Sequence, residues 1–201
     1  MSEDTTEEIM GATYCALCKH GYAALTMQNI ADESGLSKAA LHYHYDSKRD
    51  LLLAFLDYLL DRFRERIDAA DADDPAERLA AFVDVVFTPR REDTHREFKT
   101  AVLEIKAQAP YDDGFRERLA EFDRLMHDRV RSIVADGIER GVFRGDADPD
   151  DVASFVITVM NGANARYVAV GAPVGDARRT LMAYLETQLF ADGRDPEVAA
   201  E

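Results

Sequence analysis

Apolar positions recur along this chain with helical spacing and almost never alternate with period two. From Leu51 the apolar positions 52, 55, 56, 59, 60, 63 and 67 fall on one broad stripe. Val152, Phe155, Val156, Val159, Met160, Ala163 and Tyr167 make a second, and Leu181, Met182, Leu185 and Leu189 a third. Leu119, Phe122, Met126, Val130, Ile133, Val134 and Ile138 mark a long central helix with Gly141 near its C-cap. The six prolines all follow residue 70 and divide the second half into helix-sized pieces. Asp74-Pro75 and Asp148-Pro149 each place an N-capping carboxylate before a proline at the first helical position. The pattern predicts an all-α chain of about nine helices with essentially no strand.

The first fifty residues break into shorter pieces. Glu7 to His20 reads as a helix with Ile9, Ala12, Thr13, Ala16 and Leu17 inside, ended by Gly21. Thr26 can cap a short second helix buried through Ile30 and Ala31. Gly35 supplies a tight turn, Leu36 plugs the core, and Ser37 caps a third helix over 38–44. Two short helices joined by a glycine turn form a helix-turn-helix, whose second helix docks in the DNA major groove. That helix carries long or aromatic donors at Lys38, His42, Tyr43 and His44 and no acid. Ala39 and Ala40 are small enough to let the backbone approach and to touch thymine methyls. Leu41 and Tyr45 point inward. Ser47 can cap a fourth helix, whose first-turn amides and Lys48 suit a phosphate. A three-helix packing module that never meets DNA is the plain alternative. It leaves the outward Lys38, His42, Tyr43 and Lys48 unexplained.

The run Ile9-x-x-Ala12, Gly21, Thr26, Ile30-Ala31, Gly35-Leu36-Ser37-Lys38, Leu41-x-Tyr43-His44-Tyr45-x-Ser47-Lys48, Leu51-Leu52 resembles the DNA-binding domain of TetR-family transcriptional regulators. The resemblance covers about the first 55 residues, and the rest matches in size and helical plan. It implies that Thr26 and Gln28 meet the backbone or a base edge, and Ser37 is a further DNA-contact candidate. It also implies that Lys38, Ala39, Ala40, His42 and Tyr43 read bases, and that His44 and Lys48 clamp phosphate. Gln28 stands where Arg is common, His42 where Tyr is usual and Ala39 where Gly is frequent. The implied plan is a helix-turn-helix domain over 1–50 and a helical effector-binding and dimerisation domain over 51–201. The homodimer would form through helices near 150–170 and 176–191, and its partner would be a palindromic double-stranded operator. A repressor released by an unknown small molecule fits this plan. A helical small-molecule binder or interaction protein without DNA function is the competing class, and promoter position alone separates repressor from activator.

For an effector site, Phe63, Phe82, Phe98, Phe122 and Met126 offer apolar or flexible lining, and Glu104, Gln108, His127 and Asn161 offer polar orientation. Most such aromatics in a helical domain are simply core. Cys15-x-x-Cys18 gives only two metal ligands on one helix, so packing cysteines are the favoured reading and redox sensing a minor one. No nucleophile elbow, His-Glu-x-x-His or Ser-x-x-Lys pattern occurs, so no catalytic residue, metal or cofactor is expected.

Charge sets a further constraint. Hydrophobic residues make up 47% of the 201, enough for a real core, yet the net charge is −15. There are 24 Asp against 15 Glu, and 5 Lys against 19 Arg. Asp-rich, Lys-poor surfaces suit concentrated salt, and a halophilic source is read ahead of a merely acidic cytosolic protein. The apolar runs 51–56 and 152–160 fall short of the roughly 20 residues a membrane span needs, and the start is acidic rather than signal-like, so a cytoplasmic location is expected. Within 1–50 the excess lies in Glu3, Asp4, Glu7 and Glu8. From Ile9 to Asp50 four cations balance four acids, which makes a locally neutral head on an acidic body.

Overall fold

A computed structural model describes residues 3–88 and 94–191. Pro89 and Pro196, two of the six punctuating prolines, lie outside the described residues. Among the described residues are nine helices and no strand: α1 (Glu3–Ala24), α2 (Met27–Ser34), α3 (Lys38–His44), α4 (Lys48–Ala69), α5 (Pro75–Phe87), α6 (His95–Lys106), α7 (Asp113–Glu139), α8 (Pro149–Val170) and α9 (Val174–Leu189). The all-α reading stands. Helix α1 starts at Glu3 rather than Glu7, with Asp4 and Glu7 near its positive end, where carboxylates are favoured. Gly21 interrupts it at φ 68 and ψ 172, a conformation that costs a side-chain-bearing residue dearly.

The described residues form two compact units, one drawn from 3–63 and 94–121 and the other from 64–88 and 122–191. The boundaries fall inside α4, after Phe63, and a third of the way along α7, after Glu121. The reason is packing: Phe55, Ala101, Ile105 and Phe115 share one buried cluster with Ile9, Leu17, Ile30 and Leu41. Each fully buried Leu, Ile or Phe contributes about 1.5–3 kcal/mol. Thr13 is buried in the same cluster, and its Oγ1 donates to the Ile9 carbonyl at 2.8 Å, so the polar group is satisfied.

In the second unit, Asp74 accepts from the amides of Ala76 and Glu77 with Pro75 at the first turn. Asp148 does the same for Asp150 and Asp151 ahead of α8. Leu79, Phe82, Val83, Val130, Val134, Val156 and Leu185 form the core. Arg78 on α5 pairs with Asp136 on α7, and Arg178 on α9 pairs with Asp84 on α5. After α7 the chain turns at Gly141 (φ 70), and the Arg144 amide donates to the Leu189 carbonyl at 2.8 Å. Phe143 there packs edge-on to Phe190, with ring centres 5.3 Å apart. No described helix is long and apolar enough to cross a membrane.

Candidate DNA-reading head

Three caps fix the head. Thr26 Oγ1 accepts from the Asn29 amide at 3.2 Å, and Asn29 Oδ1 accepts from the Thr26 amide at 2.9 Å, a reciprocal capping box. Gly35 closes α2 at φ 69, and Ser34 Oγ accepts from the Leu36 amide at 3.2 Å. Ser37 Oγ then accepts from the Ala40 amide at 3.1 Å and starts α3. Ser47 Oγ accepts from the Asp50 amide at 3.1 Å and donates to its carboxylate at 2.6 Å, which starts α4.

Helix α3 is two-faced. Leu41 is fully buried and Leu36 packs half-buried on the same core. Tyr45 is half-buried, its amide reaches the Leu41 carbonyl at 2.9 Å, and burial pushes its phenol pKa up. On the other side Lys38, Ala39, His42 and Tyr43 are exposed, Tyr43 by 87%. Ala40 and His44 are half-buried, and the His44 ring stands edge-on to Tyr43 with centres 5.1 Å apart. The structure thus brings Lys38, Ala39, His42 and Tyr43 onto one solvent face, with His44 beside it.

Four other proposed DNA contacts have internal partners. The Thr26 and Ser37 hydroxyls are used by the caps. Gln28 is exposed, and its Nε2 donates to Asp32 Oδ1 at 2.7 Å, which leaves its carbonyl oxygen as acceptor. Lys48 Nζ donates to the Tyr22 carbonyl at 3.1 Å and sits 4.8 Å from the centre of the Tyr22 ring; burial lowers its pKa. Two more cations are also engaged. Lys19 meets Glu33 at 2.7 Å, and Arg49 grips Asp112 with two bonds of 2.6 and 2.8 Å.

The nine residues read as effector lining do not gather in either unit. Phe63, Phe98, Glu104 and Gln108 belong to the first, and Phe82, Phe122, Met126, His127 and Asn161 to the second. Phe98 packs against Tyr14 as a tilted pair with ring centres 4.6 Å apart. Glu104 Oε2 accepts from the Tyr22 amide at 2.6 Å, and Gln108 Nε2 donates to the Glu104 carbonyl at 3.4 Å. Phe82 is core, and His127 Nε2 lies 3.3 Å from Ser154 Oγ. Cys15 and Cys18 are free and half-buried, and burial pushes the Cys18 thiol up, the opposite of what a reactive thiolate needs.

Sequence reasoning blurred one surface. Phe155 and Val156 share a stripe, yet Val156 is buried while Phe155 is 39% exposed. Phe155 meets the half-exposed Tyr184, which sequence reasoning did not single out, at a ring separation of 4.9 Å. They border an open groove of about 410 Å³ between α8 and α9, lined also by Val159, Ala163 and Leu181. A second apolar stripe on an already packed helix was the signal that could have found it.

Family comparisons agree with this geometry. A model described as "Bacterial regulatory proteins, tetR family" matches residues 9–55, and one described as "BetI-type transcriptional repressor, C-terminal" matches residues 75–190. The HTH-type transcriptional regulator BetI of Agrobacterium fabrum is 30% identical over 184 residues, which span 87% of this chain and 84% of that protein. The crystal structure of a TetR transcription regulator from Haloarcula marismortui is 41% identical with a TM-score of 0.87, covering 94% of this chain and all of the other. A Saccharomonospora viridis protein solved in complex with choline shares the fold at 22% identity and a TM-score of 0.84, with coverage of 94% and 100%.

Proposed function

The chain belongs to the TetR family of transcriptional regulators, and on that premise we propose how this ligand-responsive DNA-binding regulator works. Two copies pair through α8 and α9, and each presents one α3 to a half-site of a palindromic operator. Residues 1–50 do the reading and residues 51–201 carry effector response and pairing. Binding represses, and a small molecule that binds the released form better lifts repression by population shift. The protein works in the cytoplasm and carries out no catalysis.

The observation that carries this reading is the division of α3: Leu41 is fully buried while Lys38, Ala39, His42 and Tyr43 face solvent within seven residues. In the complex Lys38 and His42 meet base edges or adjoining phosphates, Tyr43 packs on the backbone, and Ala39 and Ala40 allow close approach. Thr26 and Ser37 act chiefly by setting helix ends, Gln28 offers its carbonyl oxygen, His44 flanks the phosphate, and Lys48, held on the Tyr22 carbonyl, braces the start of α4 beside it. The effector lining is assigned to Phe122, Met126, His127 and Asn161 in the second unit, while Phe82 acts as core. Phe63, Phe98, Glu104 and Gln108 act as packing and tethers in the first.

A gel shift against the protein's own upstream region in molar potassium chloride tests this, with choline added as a first candidate effector. A sequence-specific shift is expected. Its absence with every duplex tried would overturn the reading and leave a helical binder without DNA function.

A further inference from the structure

We propose that protons are co-ligands of operator binding: His42 and His44 bind DNA in the imidazolium form and supply the positive charge that the fixed cations of this head do not. The inference rests on the DNA-binding reading above and adds the chemical form of the contact residues.

Most cations of residues 9–50 are already engaged. Lys19 is paired with Glu33, Lys48 is bonded to the Tyr22 carbonyl and lies over its ring, and Arg49 holds Asp112 with two bonds. Only Lys38, among the described residues of this segment, is a fixed cation with no partner, and it stands at the first position of α3. A duplex carries one phosphate charge per roughly 1.7 Å of axis, so one lysine per head is a poor match for the groove walls. The remaining polar donors on or beside the reading face are His42, Tyr43 and His44, and both histidines lie in the last turn of α3, where a helix favours positive charge. A neutral imidazole has one donor and one acceptor, whereas an imidazolium has two donors and a full charge. Phosphate oxygens and the guanine O6 and N7 atoms are acceptors, so DNA selects the protonated form.

The charged groups on the elements around α3 do not obscure the effect. On α2, Asp32 bonds Gln28 and Glu33 bonds Lys19. Before and on α4 stand Asp46, which is exposed, Asp50, which bonds Ser47, and Lys48 and Arg49. The ordinary pKa values of carboxylates, lysines and arginines lie outside the range from pH 6 to 8.5. Histidine is the side chain that changes charge in that window. On α1 the one other imidazole is His20, exposed and away from α3 in sequence, which makes it the internal control.

The sign follows from linkage. An imidazole that gains an anionic partner holds its proton to higher pH in the complex, so affinity is greatest at low pH and is lost as pH rises through the bound-state value. Each proton taken up gives at most tenfold in affinity per pH unit.

The test uses the full chain and a duplex selected from a random pool at pH 7 in molar potassium chloride. Binding is followed by fluorescence anisotropy from pH 6 to 8.5 at fixed ionic strength. Affinity should fall at least threefold per pH unit across part of that range, and the doubly substituted His42→Gln, His44→Gln protein should lose most of that dependence, while His20→Gln keeps it. Calorimetry of the wild-type protein in phosphate and in Tris should report net proton uptake, with no variant required. Specific binding that is independent of pH and of buffer overturns the inference and leaves the DNA-binding reading standing. So does a pH dependence that survives in the double variant. Failure to select any duplex overturns the DNA-binding reading itself.

Discussion

The backbone N–H of Tyr22 donates to the carboxylate of Glu104 across 2.6 Å, joining residues 82 positions apart in the chain. Tyr22 follows directly on Gly21, where α1 departs from helical geometry. On the other side of the same residue the Tyr22 carbonyl accepts from Lys48, and the ring stands edge-on to Phe115 with centres 6.1 Å apart. One residue at the end of α1 is therefore held from α6, α4 and α7. Glu104→Ala should cost about 1–3 kcal/mol, the range for removing a charged partner from a part-buried donor. Glu104→Gln, which still offers an oxygen, should lose less. Chemical denaturation at fixed salt measures both, and equal stability of all three proteins would contradict the tether.

Two glycines should respond in opposite directions. A Cβ on Gly137 would lie 2.0 Å from the buried Phe143 ring, so Gly137→Ala should destabilise by about 1–3 kcal/mol or more. A Cβ on Gly11, exposed in mid-α1, meets nothing within 4 Å. Gly11→Ala should gain about 0.5–1 kcal/mol from helix propensity. Melting curves of the two variants would settle the comparison.

Arg49 holds the Asp112 pKa down at about 2, aided by the amides of Phe115 and Gly114, which the carboxylate caps. A depressed carboxylate stabilises the fold above its unfolded value and loses that contribution as pH falls through its folded value. Asp112→Asn should therefore be less stable than wild type at pH 5 to 7, with the gap closing as pH drops towards 2. Parallel acid titrations followed by circular dichroism would show whether the curves converge.

Operator affinity should depend weakly on salt at pH 8. A dimer offering two unpaired Lys38 side chains predicts a slope of log K against log salt near about −2. A slope as steep as about −8 would mean many more phosphate cations than the head makes available.

Phe155 and Tyr184 leave their tilted ring pair partly open to solvent beside the α8–α9 groove. If this face pairs the protein, Phe155→Glu or Tyr184→Glu should give a monomer by sedimentation in molar salt, with operator affinity falling at least tenfold. A monomeric wild type at micromolar concentration would remove the basis for two-headed binding.

Local chemistry was legible in the sequence because it is written locally. The Thr26, Ser37, Asp74 and Asp148 caps each need only a neighbour within three residues, and Gly35 needs only its own backbone. Glu104 was open to misreading as a ligand group because its partner lies on a helix far away in the chain. Lys48 suits a phosphate by position, yet it meets the Tyr22 carbonyl first, a contact that no spacing rule encodes. The split between Phe155 and Val156 was hidden because adjacent residues on one apolar helix belong to different faces once a neighbour packs against it.

The near-complete pairing of the head's cations has a kinetic consequence. Attraction to arbitrary DNA is almost wholly a matter of free positive charge, and it is what holds a protein to the duplex while it slides. With Lys19, Lys48 and Arg49 occupied, this regulator should spend little time on the wrong sequence and reach its target by repeated encounters from solution. The chromosome then acts as a poor sponge: a thousandfold excess of unrelated duplex should barely lower target occupancy, and a few copies per cell would be enough to keep a promoter covered.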